Sequence, residues 1–285
     1  MKKILIQLDT DPQPSSFDRV VAVDAGVDEL FSYGSVAPES VESLVHGAMF
    51  TRGPDDLKNT AVFIGGSDVA AGEAVLEQVR NTFFGPMRVS VMMDSNGSNT
   101  TAAAAVKAAA KHLDPAQTEA LVLGGTGPVG LRAAQILASL GARVHVASRS
   151  QERAEQACET IARHVEGARL AACTSDEPGL QERLGKVSLV IAAGAAGVQF
   201  LDADDWQGAG SLKVAIDLNA VPPVGLGGIE VTDKAVERAG VICYGAIGVG
   251  GTKMKVHRAA IGRLFESNSQ VLDTAAIYEI ATSLG

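Results

Sequence analysis

Cysteine is scarce in this 285-residue chain. Cys158, Cys173 and Cys243 have no C-x-x-C spacing and no histidine pattern to complete a metal set. This excludes a disulfide scaffold and a zinc framework; the thiols are expected to be small buried hydrophobes in a reducing compartment, and no metal is expected. Positive charge is in deficit, with 24 Lys and Arg against 33 Asp and Glu, a net charge of −9. Nothing therefore draws the chain generally to nucleic acid or an anionic membrane, and an anionic ligand needs a local cationic pocket. Long apolar runs are missing too. Met1 to Leu8 imitates a signal peptide until Asp9 stops it, and Val187 to Leu201 is broken by Gly194 and Gly197. Neither reaches the ~18 apolar residues of a membrane helix. Aromatics are only 4%, while alanine and glycine abound, which suits helices packed tightly on a sheet. A cytoplasmic protein of ordinary globular composition is expected.

The chain is organised around Leu121 to Arg149. An apolar run, Ala120 to Leu123, meets a glycine turn, a helical pattern, and a second strand-like run, Val144 to Ala147. That order is the first βαβ unit of a dinucleotide-binding domain, and Gly125, Gly127 and Gly130 have the G-x-G-x-x-G spacing. Gly125 is expected to permit the turn, Gly127 to admit a pyrophosphate, and Gly130 to seat the helix closely on the strand. Thr126, Pro128 and Val129 then lie at a helix N-terminus whose N–H groups offer an anion site. The second strand ends Ala147-Ser148-Arg149-Ser150, with Arg153 one turn later, and lacks the carboxylate that usually holds an NAD ribose. Arg149 and Arg153 favour NADP, since a guanidinium pairs with a 2′-phosphate; use of NAD as well stays open.

Elsewhere, strand and helix patterns alternate. Strands are expected at Ile4 to Leu8, Ala61 to Ile64 and Arg88 to Met92, with helices from Ser15 or Ser16 to Val23, from Pro38 to about Met49, and from Asp68 to Asn81. The polar run Asp94 to Thr101 feeds an alanine-rich helix ending near His112. It reads either as a ligand-binding loop or as an elaborate N-cap. Leu113-Asp114-Pro115 marks the expected boundary between a smaller N-terminal α/β substrate domain, 1–113, and a Rossmann-type, doubly wound parallel-sheet domain, 114–285. In the second domain, strands are expected near Arg169 to Cys173, Ser188 to Ala192, Val214 to Leu218 and, last, Val241 to Tyr244. Gly194, Asn219 and Gly248 are expected in loops near the cofactor, Gly248 within a glycine-rich turn from Gly245 to Gly251. The helix after that turn carries Lys253 and His257 at i, i+4, on one face, with Met254, Ile261 and Leu264 on the packing side. The pair could bind a polar or anionic substrate, or be a solvated basic stripe. A final helix, 273–284, is placed against the first domain.

These residues carry a specific resemblance. Phe83-Phe84-Gly85-Pro86, Asp94 to Ala102, Gly125 to Gly130 and Gly251-Thr252-Lys253-Met254-Lys255-Val256-His257-Arg258-Ala259 are similar to the bacterial NAD(P)-dependent methylene-tetrahydromethanopterin dehydrogenases of methylotrophic one-carbon metabolism. The similarity runs end to end, through Leu8-Asp9-Thr10-Asp11 and Asn219-Ala220-Val221-Pro222-Pro223. It implies oxidation of the methylene bridge of a tetrahydropterin with hydride passing to NADP, in a homotrimer whose active site lies between domains and is completed by a neighbouring subunit. Family site residues map onto Phe17, Thr101, Lys253 and His257. Spacing alone singles out Lys253 and His257; Thr101 stands out only as part of its loop, and Phe17 otherwise reads as core.

The implied chemistry needs no acid–base pair. Two nitrogens flank the carbon that loses hydride and stabilise the cation, so no proton moves in that step. A lysine beside a forming cation would oppose it, so Lys253 is expected at the substrate's carbonyl or anionic part. Alternatives are a methylene-tetrahydrofolate dehydrogenase, which handles the same bridge, and a non-catalytic NADP-sensing module. A coupled cyclohydrolase is disfavoured because Tyr33, Tyr244 and Tyr278 are followed four residues on by Ala37, Gly248 and Thr282, not lysine.

Overall fold

A computed structural model describes residues 1–175 and 180–285. By packing, the chain divides into two units, residues 1–100 with 254–285, and residues 101–253. In chain order the elements of the first part are β1 (Ile4–Asp9), α1 (Ser16–Asp24), β2 (Glu29–Tyr33), α2 (Pro38–Met49), β3 (Thr60–Gly65), α3 (Val69–Thr82), β4 (Ser90–Met93) and α4 (Ser98–Ala110). Then come β5 (Glu119–Leu123), α5 (Pro128–Ser139), β6 (Arg143–Ser148), α6 (Gln151–His164), β7 (Arg169–Thr174), α7 (Leu180–Leu184), β8 (Leu189–Ala192), α8 (Ala203–Trp206) and β9 (Val214–Asp217). The rest is β10 (Lys234–Arg238), β11 (Val241–Tyr244), α9 (Ala246–Arg263), β12 (Val271–Leu272) and α10 (Thr274–Ser283).

The first unit holds a five-stranded sheet in the order β12-β4-β3-β1-β2, every pair parallel. Strands β3 and β4 are buried throughout, which is why they read as unbroken apolar runs rather than alternating ones. Leu8, Val41, Val45, Ile64, Val75, Val79 and Val91 pack into one core between this sheet and helices α2 and α3. The α1 helix starts where Ser15 accepts a hydrogen bond from the Asp18 N–H, and Asp68 caps α3 through the Ala71 N–H.

The second unit holds a seven-stranded sheet in the order β10-β11-β9-β8-β5-β6-β7. From β5 outward it runs β5-β6-β7 on one side and β8-β9-β11 on the other, the doubly wound order with its reversal beside β5. All pairs are parallel except β10 with β11. Trp206 is buried in this core, and its indole N–H donates to the Gly227 carbonyl at 2.9 Å.

The structure differs from the sequence reading in several places. Three strands escaped it: β2, β10 and β12. β2 and β10 are edge strands with polar or exposed positions, so they lack the apolar runs that betray buried strands. β12 follows β11, so Val241–Tyr244 is not the last strand; its Val271 and Leu272 pair with Val91 and Met92. That pairing ties the C-terminal segment to the first unit. The boundary expected at Leu113 to Pro115 differs from the packing division, which falls inside α4 and again inside α9. A proline after a helix marks where the helix ends, and long-range pairing decides which unit it joins. Finally, the glycine-rich segment from Gly245 is not a turn: Ala246 to Gly251 already belong to α9. In that helix Val256, Ala260, Ile261 and Leu264 are buried, while Met254 is only half-buried.

Candidate functional site

The dinucleotide turn follows β5. Gly124 is the residue with a left-handed backbone, φ +69°, so it makes the turn expected of Gly125. Gly125 is glycine for a different reason. A Cβ there would press on the Val146 side chain at 2.7 Å, while its N–H donates to the Ala147 carbonyl at 2.9 Å. Gly127 is the N-cap of α5 and supplies no capping side chain; its N–H donates to Gly124 O, and Pro128 at the next position has no N–H. The N–H groups of Val129 and Gly130 therefore remain for a ligand at the helix tip. Gly130 is held against the turn rather than the strand: a Cβ there would meet the Gly124 carbonyl and lie 2.9 Å from Gly125 Cα.

At the end of β6, Ser148 is buried and its hydroxyl lies 3.3 Å from that of Thr126, so the two loop ends are hydrogen-bonded together. Ser150 caps α6 through the Arg153 N–H, leaving the Arg149 and Arg153 side chains exposed at the strand end. Such guanidiniums suit an anionic ligand and are weak as structural contacts.

The other residues expected near the cofactor, Gly194, Asn219 and Gly248, also have packing or hydrogen-bonding contacts of their own. A Cβ on Gly194 would enter the Phe200 ring. Asn219 donates to Pro223 O at 3.2 Å and accepts from the Val221 N–H at 3.0 Å. Beside it Asp217 accepts from the N–H groups of Asn219 and Leu226 at 2.9 and 2.8 Å. Burial pushes the Asp217 carboxyl above the usual range, and those backbone donors oppose the shift. Gly248, in the first turns of α9, faces the backbone of Asp233, where a Cβ would collide with the carbonyl. It is conditioned by packing, not by the turn expected there.

In the first unit, α1 and α9 bring together residues that sequence reading ranked very differently. His257 is 0% exposed; its ring stacks on Phe63 at 5.7 Å between centroids and 21° between planes. Phe17 lies 6.3 Å from the same imidazole, tilted by 35°, and is itself 51% exposed. Phe17 is thus an open aromatic surface over a buried histidine, not the core residue its sequence suggested. His257 Nε2 is 3.9 Å from an oxygen of Asp18. Lys253 sits one turn before His257 on α9 and is partly exposed. Phe63 and Asp18 were missed: Phe63 reads as ordinary strand core, and Asp18 as a helix-start acid.

The polar run from Asp94 spans the start of α4, which Asp94 caps while its neighbours bond to other segments. Asp94 accepts from the Thr100 N–H and hydroxyl at 3.0 and 2.6 Å. Asn99 donates to Met93 O and accepts from the Thr274 hydroxyl, both at 2.7 Å, and Ser95 donates to Gly65 O. Thr101, next in line, is partly exposed.

Residues 16–96 match the family model of methylene-tetrahydromethanopterin dehydrogenase, N-terminal, and residues 89–200 that of the alanine dehydrogenase/PNT C-terminal domain. The chain is 45% identical over 285 residues to "Bifunctional protein MdtA" of Methylorubrum extorquens, with 99% of each covered. It is 30% identical over 294 residues to an NAD(P)-dependent methylenetetrahydromethanopterin dehydrogenase of the same organism, again with 99% of each covered. Among solved structures, quinate dehydrogenase from Corynebacterium glutamicum in complex with NAD superposes with a TM-score of 0.59 at 14% identity, covering 99% of both chains. Shikimate 5-dehydrogenase from Listeria monocytogenes in complex with shikimate and NAD gives 0.56 at 15%, covering 98% of this chain and 96% of that one. At such identities the likeness is one of fold.

Proposed function

The chain belongs to the methylene-tetrahydromethanopterin dehydrogenase family, and from that premise we propose that it oxidises the methylene bridge of methylene-tetrahydromethanopterin to the methenyl cation with NADP. The observation that carries the cofactor half is the α5 tip. It has a glycine N-cap without a side chain and two first-turn N–H groups left over, and positions 125 and 130 have no room for a Cβ. Those residues fit a pyrophosphate. Thr126, Gly127, Val129 and Gly130 would hold it, with Ser148, Arg149 and Arg153 toward the ribose and its 2′-phosphate. When bound, the nicotinamide supplies the acceptor for the hydride.

The remaining work is done by the chain's own side chains. Phe17 offers its open face to the flat pterin, and His257 and Phe63 beneath it keep that face fixed. Lys253 and Thr101 orient polar parts of the substrate, Lys253 at a carbonyl or anionic group away from the carbon that becomes positive. Holding the reacting carbon in place and excluding water accounts for the rate, because the step itself moves no proton. The resemblance further suggests a cytoplasmic homotrimer or a multiple of it; light scattering would return three times the chain mass or a multiple of that.

A steady-state assay crossing NAD and NADP with tetrahydromethanopterin and tetrahydrofolate substrates tests this reading. Turnover highest with NADP and the methanopterin is expected. Turnover with the folate alone would move the chain to that substrate, and nucleotide binding without hydride transfer to either pterin would make it a sensor.

A further inference from the structure

A charged side chain that neither the motifs nor the family match singles out lies beside His257. Asp18 lies in the first turn of α1, immediately after Phe17, and its N–H is held by the Ser15 hydroxyl at 3.3 Å. Its side chain is 14% exposed, against 0% for His257, and its Oδ1 is 3.9 Å from His257 Nε2, a charge contact rather than a hydrogen bond. The imidazole stacks on Phe63, and a neighbouring charge acts on which of its nitrogens carries hydrogen and whether both do. A carboxylate facing Nε2 in a buried setting biases that choice.

We propose that Asp18 is a positioning residue for His257: its carboxylate keeps hydrogen on Nε2 and so sets the tautomer and charge of the imidazole that lies under the Phe17 surface. One rigid turn of α1 then performs two tasks, presenting the aromatic face with Phe17 and conditioning the histidine below it with Asp18. The inference rests on the reading of His257 as a residue of the pterin site.

The test uses the full chain with NADP and methylene-tetrahydromethanopterin. Asp18→Asn preserves shape and removes the charge. It is expected to lower kcat/KM by roughly 10- to 100-fold, the scale of a lost charged contact, with an unchanged thermal midpoint. Asp18→Glu, which keeps the charge, is expected to retain most of the activity. In a His257→Asn background, Asp18→Asn should add nothing, because the two act as one unit. Nitrogen-15 spectra of the imidazoles give a readout independent of turnover: the His257 signal, assigned by its absence in His257→Asn, should change its tautomer signature in Asp18→Asn. An unchanged signature, or an equal loss of activity with and without His257, would overturn the proposal. If His257→Asn itself left kcat and KM untouched, the reading of the site would fall and this inference with it, whereas a failure confined to Asp18→Asn would remove Asp18 alone.

Discussion

Two glycine-to-alanine changes, both within helices, are expected to move stability in opposite directions. Gly47 lies inside α2, exposed, with nothing within 4 Å of an added Cβ. Alanine there gains about 0.5–1 kcal/mol from helix propensity. Gly130 has the same propensity to gain, but its Cβ would collide with the Gly124 carbonyl and come within 2.9 Å of Gly125 Cα and 3.0 Å of Gly124 C. All three atoms are backbone and cannot rotate aside, so the glycine turn itself must yield. Overpacking of this kind costs about 1–3 kcal/mol. With the cost at the upper end and about 1 kcal/mol recovered from propensity, Gly130→Ala loses about 2 kcal/mol, or about 4–8 °C in thermal midpoint. The displaced turn is the one proposed to hold the pyrophosphate, so NADP affinity should fall by about 10- to 100-fold as an N–H contact to the anion is lost. Thermal unfolding with and without nucleotide, paired with calorimetric titration, measures both effects. A Gly130→Ala variant as stable as Gly47→Ala and binding NADP as tightly as the parent would refute the steric argument.

Arg149→Asp should weaken NADP binding by about tenfold or more while changing NAD binding little, since only the former carries a 2′-phosphate to repel; equal losses in parallel titrations would count against the assignment. Asp233 is bonded by the Arg238 guanidinium at 2.7 and 2.8 Å, which holds its carboxyl below the usual range. Because the folded-state value is depressed, the contribution is complete above about pH 4 and is lost as pH falls through the folded value. Asp233→Asn should therefore cost about 1–2 kcal/mol at pH 7, with the gap to the parent narrowing in denaturation curves at acid pH. Burial pushes the Cys158 thiol up to about 11 and the Cys243 thiol up to about 12. Iodoacetamide at pH 8 should label Cys158 far more slowly than free cysteine, and Cys173 and Cys243 only on unfolding; rapid labelling of the native chain would contradict these environments.

The sequence by itself determined the dinucleotide half. A βαβ unit is local, about 30 residues of strand, glycine turn and helix, and its periodicity and glycine spacing are written consecutively from Ala120 to Ser148. Even there, spacing named the glycines without assigning their tasks. That Gly124 turns the chain, Gly125 clears Val146 and Gly130 clears the turn depends on what lies opposite each of them. In the other half the sequence showed the buried strands and the helices between them, and tertiary structure decided how they come together. The pairing of Val271 and Leu272 with β4 joins residues about 180 positions apart, and no local pattern in a two-residue strand announces it. Gly248 looked like loop chemistry until Asp233 was seen against it. Phe17, Asp18, Phe63 and His257 lie on three elements spread from one end of the chain to the other. An apolar residue does not disclose in sequence which side it faces, so an exposed aromatic over a buried histidine becomes visible only once α1, β3 and α9 are packed.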